Sequence, residues 1–290
     1  MDWRVKVAIQ TALSLTPWAE SLNFMAQRAN GSFAPHHLYR GFSSSRDRFR
    51  AIKARMGCER PVVVEIGTGW AGVSIVAMAL EGAGRIYSFD SVRHFRLPLA
   101  KTMLDHVVKL HPEYADRAAP LLAAADVGSF MRAANAEYRA PGDAARTGLP
   151  DKSVDLVFSQ SVLEHVRPAD LEHITRESAR ILRGRAHHHI ALCDHLTEHE
   201  PNFSGIHFLS HSPLVWWLRN NRINYHNRWR APQFIDLFTR CGGRIVHRVE
   251  RTPPRDREAA RTMGLPVEAA ISHLEIDVVF DGHGTSMKVM

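Results

Sequence analysis

Hydrophobic and polar positions recur along this chain with two periods, and the switches between them mark out its elements. Near the start, Val5, Ile9, Ala12 and Leu13 repeat at helical spacing up to Pro17, and a second amphipathic piece runs from about Leu22 to Arg28. Ser43, Ser44 and Ser45 with the arginine-rich segment Arg46 to Arg55 predict a further helix ahead of the first strand. Val62, Val63, Val64 and Ile66 form the short apolar run of a buried strand, and Val73 to Leu80 is the helix that follows. The alternation continues with a strand over 85–89, helical segments between 97 and 135, a short strand near 138–140 and a strand over 154–158. A helix over 168–182, a strand over 187–193, a helix through Phe234, Ile235, Leu237 and Phe238, and terminal strands near 244–250 and 273–280 complete it. Such alternation predicts an α/β fold: a doubly wound, Rossmann-like, mostly parallel sheet with an antiparallel last strand. Residues 1–60 read as an N-terminal helical cap, 61–290 as the main domain, and 194–232 as an insertion after the fifth strand.

The junction after the first strand carries the most chemistry. In VVVEIGTGWAG, Gly67, Gly69 and Gly72 make a turn that lets the backbone approach a nucleotide-like ligand closely. Their spacing also suits a dinucleotide. Glu65, however, would repel a pyrophosphate and suits the ammonium of an amino-acid moiety, which S-adenosylmethionine (SAM) carries. Asp90 ends the next strand in RIYSFD, eighteen positions after Gly72. An acid there accepts hydrogen bonds from both ribose hydroxyls, which serves NAD and SAM alike.

Composition narrows the setting. With 290 residues and 45% hydrophobic content, the chain can bury one large α/β core, or a core plus a small cap. A formal charge of +7 favours anionic partners such as phosphorylated substrates, nucleic acid or a lipid surface. The three cysteines, Cys58, Cys193 and Cys241, form no CxxC pair, so neither a disulfide framework nor a zinc knuckle is expected, and a reducing cytoplasm fits. No apolar run approaches the ~20 residues of a membrane span. Val7 to Leu15 is interrupted by Gln10 and Thr11, so a signal peptide is not expected. A membrane-surface anchor built from Trp3, Arg4 and Lys6 on the N-terminal helix stays open.

The segment GDAARTGLPDKSVDLVFSQSVLEHV, residues 142–166, separates the cofactors. Its order of Gly142-Asp143-Ala144, Leu149-Pro150, Asp155-Leu156-Val157 and Leu163-Glu164-His165-Val166 closely resembles the class I SAM-dependent methyltransferases, in particular the type 11-like bacterial group. With EIGTG and the acid of YSFD, the resemblance covers roughly residues 60 to 195. It implies that Glu65 and the backbone of Gly67, Thr68 and Gly69 hold the methionine moiety, Asp90 the ribose, and Asp143 with Ala144 the adenine edge; Ser159 on the fourth strand joins these cofactor candidates. Two departures stand out: Ala71 occupies the place of a third glycine, and the stretch from Arg96 to Ala136 is longer than one helix. If LLAAAD is the third strand, Asp126 is the adenine contact instead.

Methyl transfer from a sulfonium needs in-line positioning and, for a hydroxyl acceptor, removal of a proton. His165, just after the fourth strand, and His195, just after the fifth, are the candidate proton acceptors; the alternative for His165 is a cap or packing role. In His187-His188-His189, neighbouring strand residues face opposite sides and cannot converge on one ion. His195 with His199, or His207 with His211, stand at i, i+4 spacing, but no aligned carboxylate set accompanies them, and no metal is expected.

The insertion interleaves Trp216, Trp217, Tyr225 and Trp229 with Arg219, Arg222, Arg228 and Arg230. Aromatic faces suit sugar rings and guanidinium groups suit phosphates, which makes Trp216, Trp217, Arg222, Tyr225, Arg228 and Arg230 candidate substrate contacts. An amphipathic helix that completes the core is the alternative. NRWRAPQFIDLF and IQTALSLTPWAESLNFMAQR loosely resemble bacterial polysaccharide- and glycoconjugate-pathway methyltransferases, which favours O-methylation of a sugar or small-molecule hydroxyl, with an anionic acceptor possible. A nicotinamide-dependent oxidoreductase would explain the glycines and Asp90 but not Glu65 or the 143–165 series. A nucleic-acid methyltransferase lacks a base-flipping motif here, and a catalytically silent SAM-binding protein remains open. Oligomeric state has no signature in the sequence.

Overall fold

A computed structural model describes residues 3–16, 18–195, 202–222 and 225–280. Helices α1 (Trp3–Ser14), α2 (Ala19–Ala29) and α3 (Pro35–Met56) precede β1 (Val62–Ile66), α4 (Val73–Leu80), β2 (Arg85–Phe89), α5 (Leu97–Leu110), α6 (Ala115–Ala123) and α7 (Val127–Ala133). Then come β3 (Ala136–Arg139), β4 (Val154–Gln160), α8 (Pro168–Ile181), β5 (Leu182–Ala191), α9 (Pro213–Arg219), α10 (Ala231–Arg240), β6 (Arg244–Arg251), α11 (Pro254–Thr262) and β7 (His273–Val279). The seven strands are ordered β3-β2-β1-β4-β5-β7-β6, a mostly parallel sheet with antiparallel pairing at its last strands. His199 and the side chains of Trp3, Arg4 and Lys6 lie outside the described residues. Among the described residues, no helix is long and apolar enough to cross a membrane.

The chain divides into two compact units. One, residues 31–160 with 173–187, holds β1 to β4 and the helices between them. β1 lies between β2 and β4 in parallel register, Ile66 opposite both Phe89 and Ser159, so the carboxyl ends of these strands lie side by side. Val63, Val64 and Ile66 are buried, as a strand covered on both faces requires. α3 joins this core through Phe42, Phe49 and Ile52, each fully buried. It begins eleven residues earlier than Arg46, because Leu38, Phe42, Ser45, Phe49 and Ile52 form one buried stripe at helical spacing that outweighs the breaker character of Gly41 and the three serines. It stops at Gly57, whose left-handed backbone accommodates a helix C-terminus.

The third strand is Ala136–Arg139, and Asp126 instead N-caps α7, accepting from the Ser129 N–H. The expected fifth strand begins earlier than 187: β5 starts at Leu182, directly after α8. Gly184 permits this, since a Cβ there would lie 2.0 Å from the Asp155 carbonyl oxygen. Glycine alone allows the backbones to approach so closely.

The other unit, residues 1–30, 161–172 and 188–290, holds α1, α2, α9, α10, α11, β6 and β7. β6 is mostly exposed and carries Arg244, His247, Arg248, Glu250 and Arg251, charges that discourage pairing at a sheet edge. His188 stacks face to face on Phe238, while in the first unit His187 stacks on Phe158. These histidines are packing residues that point different ways, as their alternation on a strand requires.

Phe49→Ala should lower stability by about 3–5 kcal/mol, the cost of emptying a packed aromatic site. Trp217→Ala, at a side chain 73% exposed, should change it by no more than about 0.5 kcal/mol. Denaturant unfolding of both variants checks the assignment of α3 to the core.

Candidate functional site

In the first unit, the turn between β1 and α4 is built as its glycines suggest. Gly67, Gly69 and Gly72 all take positive φ, and a Cβ at Gly72 would meet the Phe95 ring at 2.8 Å. The Gly67 N–H donates to the Phe89 carbonyl (2.8 Å) and the Gly69 N–H to Asp90 Oδ2 (3.0 Å), tying the turn to the end of β2. Asp90 Oδ1 accepts from the Val92 N–H at 3.2 Å. The Gly142 N–H donates to the Asp90 carbonyl at 2.8 Å, which brings the Asp143-Ala144 segment to the same strand end. Asp143 is exposed, with Oδ1 accepting from the Ala145 N–H, and Ser159 is buried within β4.

Glu65 is the outlier among these groups. It is 1% exposed inside the apolar β1, and the Ser88 hydroxyl donates to Oε2 while Thr68 Oγ1 bonds Ser88 Oγ at 2.6 Å. Oε1 is buried with no close hydrogen-bond partner among the described residues, and the Ser74 hydroxyl, like that of Ser88, only partly offsets the cost of its burial. Desolvation, reinforced by the Asp90 charge, pushes this carboxyl up to about 8, so at neutral pH it holds a proton unless a cation comes to it. A buried acceptor at the mouth of a glycine turn therefore suits a cationic group.

The second unit assembles a different cluster. A short 3-10 turn, Leu163–His165, is held by Asn227, whose side-chain amide donates to the Leu163 (2.8 Å) and Val166 (2.9 Å) carbonyls while its N–H donates to that of Glu164 (2.8 Å). His165 Nδ1 donates to the Tyr225 carbonyl at 2.7 Å, which places the proton on Nδ1 and leaves Nε2 as the lone-pair nitrogen. His165, His195 and His226 form a triangle of rings with centroids 5.1, 5.6 and 5.8 Å apart. The surrounding protein and neighbouring His195 hold His165 neutral, well below the usual imidazole range. His226 is buried; its Nδ1 accepts from the Arg228 N–H (3.2 Å) and its Nε2 faces the Ala191 carbonyl (3.4 Å).

Glu164 lies beneath these rings, fully buried. Oε1 accepts from the Ala191 N–H at 3.2 Å, Oε2 has no hydrogen-bond partner, and burial pushes the carboxyl up to about 8. One donor atom each from Glu164, His165 and His195 lie within 4.8 Å of one another. The expectation of no metal rested on the absence of a carboxylate beside the i, i+4 histidine pairs. The structure brings a carboxylate to a different pair, His165 and His195. His211 is engaged by the Arg219 guanidinium, which together with burial depresses its pKa to about 4.

The arginines of the insertion divide into internal and external. Arg230 is 7% exposed and donates to the carbonyls of Leu192, Ala269 and Ile271, so it is a structural clamp and not a substrate contact. Arg219 pairs with buried Asp194 (3.2 Å), which is thereby committed to the ion pair. Arg228, at φ 57°, lies over Trp216 and donates to the His211 carbonyl. Trp216 is half-buried against Phe208, whereas Trp217 is exposed. Arg222 is exposed and donates to the Thr16 carbonyl at 2.8 Å. Glu164, His226 and Asn227 were not picked out as site residues from the sequence, although the LEH and NYHN stretches contain them.

Residues 64–190 match a family model described as a methyltransferase domain. The fold is similar to that of the PH0226 protein of Pyrococcus horikoshii (TM-score 0.51, 14% identity, covering 89% of this chain and 99% of that one). Similar too are a Burkholderia thailandensis 1,6-didemethyltoxoflavin-N1-methyltransferase with bound substrate and S-adenosylhomocysteine (0.49, 14%, 89% and 85%) and a Synechocystis magnesium protoporphyrin IX methyltransferase with bound S-adenosylhomocysteine (0.48, 15%, 83% and 84%). No curated protein matches the chain. Residues 64–190 thus match a methyltransferase domain, and the chain shares its fold with the PH0226 protein.

Proposed function

We propose that the protein is a SAM-dependent methyltransferase acting on a hydroxyl of a sugar or other small molecule. The observation that carries the cofactor half is Glu65: a buried carboxylate with one unpaired oxygen, at the mouth of a positive-φ glycine turn. In this reading Glu65 receives the ammonium of the methionine moiety, the Gly67–Gly69 backbone lies along it, Asp90 takes the ribose hydroxyls, and Asp143 with Ala144 borders the adenine. Ser159 lines the same strand ends. SAM supplies a methyl group already activated on a sulfonium.

The remaining task is to accept the hydroxyl proton and hold the acceptor oxygen in line. His165 suits this at Nε2, because its Nδ1–H is bonded to the Tyr225 carbonyl and the ring stays neutral. His195, 5.1 Å away ring to ring, is the alternative acceptor. Residues 61–290 form the methyltransferase domain in this reading, 194–232 its substrate side, and 1–60 a helical cap, part of which, α3, is built into the core. Trp216, Trp217, Tyr225, Arg222 and Arg228 remain the acceptor contacts; exposed Trp217 and Arg222 suit an anionic sugar. The apolar face of α1 and the chain's positive charge support contact with a lipid-linked acceptor or membrane surface, and a cytoplasmic setting agrees with three cysteines that form no disulfide. Transfer of labelled methyl from SAM into a glycan or metabolite pool tests the activity; complete absence of transfer across such pools would favour a silent binding protein.

Glu65→Gln and Asp90→Ala should each weaken SAM binding by about 1.5–3 kcal/mol, the range for hydrogen bonds to charged groups. Because Glu65 is protonated below about pH 8 in the unliganded protein and ionised beside an ammonium, SAM binding near pH 6.5 should release a proton from it. Calorimetry in buffers of different ionisation enthalpy reads that release, which Glu65→Gln should remove. The same group makes the unliganded protein lose stability as pH rises from about 4.5 to about 8, since the unfolded chain ionises first, and Glu65→Gln should flatten that decline.

His165→Ala or His195→Ala should lower turnover by about 10²–10⁴-fold with SAM affinity unchanged. Once the acceptor is identified, Arg222→Ala should raise its KM if it is anionic. Unaltered kinetics in both histidine variants would place proton removal elsewhere.

A further inference from the structure

Glu164 has no role as a proton acceptor in the scheme above, yet it is a fully buried carboxyl group with one oxygen that has no hydrogen-bond partner among the described residues. A carboxylate taken out of water without a partner loses several kcal/mol of hydration, and proteins keep such groups paired, protonated or bound to metal. Glu164 is fully buried; its Oε1 accepts from the Ala191 N–H, and its Oε2 is buried with no hydrogen-bond partner among the described residues. Two imidazoles, those of His165 and His195, each place a ligand atom within 4.8 Å of it and of one another.

We propose that Glu164, His165 and His195 bind a divalent first-row transition-metal ion through two imidazole nitrogens and one carboxylate oxygen. Two histidines and a carboxylate are a donor set such ions accept, and three protein ligands leave coordination positions for water or an acceptor oxygen. The outer shell is already in place. The Tyr225 carbonyl takes the Nδ1–H of His165, which fixes the ring orientation and presents Nε2, the arrangement found around metal-bound histidines. Asn227 braces the backbone on both sides of Glu164, and the Ala191 N–H holds its other oxygen. His226 closes the triangle of rings as a wall; with Nδ1 accepting from Arg228 and Nε2 facing the Ala191 carbonyl, it is not a ligand.

Geometry sets what binding must change. At metal–ligand distances of about 2.1 Å, tetrahedral donors lie about 3.4 Å apart. The present donors are within 4.8 Å of one another, so the widest pair would close by at most roughly 1.4 Å through side-chain torsions. The ion would bring a counter-charge to the buried Glu164 carboxylate, turning its position from a cost into a neutralised pair. The ion would then acidify the acceptor hydroxyl, a task otherwise left to a lone imidazole. Metal binding itself does not depend on the methyltransferase reading; only this use of the ion does.

The test is Co²⁺ binding to the full chain stripped of metal by chelator and dialysed, followed by visible absorption and by metal analysis. We expect about one Co²⁺ per chain with ligand-field bands of a four- or five-coordinate site, displaced by Zn²⁺. Glu164→Gln, close in shape to the wild type, and His195→Ala should each weaken Co²⁺ binding at least about tenfold to hundredfold, the loss typical of perturbing even an outer-shell partner. Circular dichroism verifies that each variant folds, and SAM calorimetry on the same preparations reads the cofactor site separately. Retention of the bands in both variants would mean that other histidines bind cobalt adventitiously, and the proposal fails. Co²⁺ content below about a tenth per chain also overturns it. Absent metal binding together with lost turnover in His165→Ala would leave the imidazole as the proton acceptor, whereas bound metal without SAM binding would overturn the methyltransferase reading alone.

Discussion

The cost of burying a carboxylate governs both clusters in this protein. Glu65 in β1 and Glu164 after β4 lie in different compact units, yet each is essentially inaccessible to water and has one oxygen hydrogen-bonded and the other without a partner. Burial pushes both up to about 8. A leucine at either position would avoid that cost, which is why each glutamate is read above as the partner of a cation. At Glu65 the adjoining glycine turn suits the ammonium of the proposed cofactor; at Glu164 the adjoining imidazoles suit the proposed metal ion.

The same rule explains the arginines of the insertion. Aromatic and basic residues interleaved over 216–230 suggest a phosphate- and sugar-binding surface, but burial commits two of the guanidiniums internally. Arg230 gathers three backbone carbonyls inside the unit and feels the charge of buried Asp256. Arg219 pairs with Asp194, itself 4% exposed, and supports Trp216 by a cation–π contact. What remains for a ligand is the outer set, Arg222, Trp217 and the accessible edge of the Trp216–Arg228 pair.

Local sequence determined the parallel sheet, the glycine turn and Asp90 at the end of β2, because each depends on period or on residue types within a few positions of one another. β-branched runs make β1 and β4, three glycines make the turn, and the family resemblance over 142–166 follows from the same short motifs. The N-terminal half of α3 and the early start of β5 were less legible. Their residues read as breakers locally, and only burial of the Leu38-to-Ile52 stripe and the close backbone approach at Gly184 make them regular. Tertiary structure alone decided which histidines meet. His165 and His195 are thirty positions apart, and Asn227 and Tyr225, sixty residues beyond the LEH turn, hold it in place. Sequence spacing can register an i, i+4 pair on one helix, but it carries no record of side chains that converge from separate loops; that convergence depends on packing, and it is packing that turned Glu164 from a motif letter into a buried, half-satisfied carboxylate.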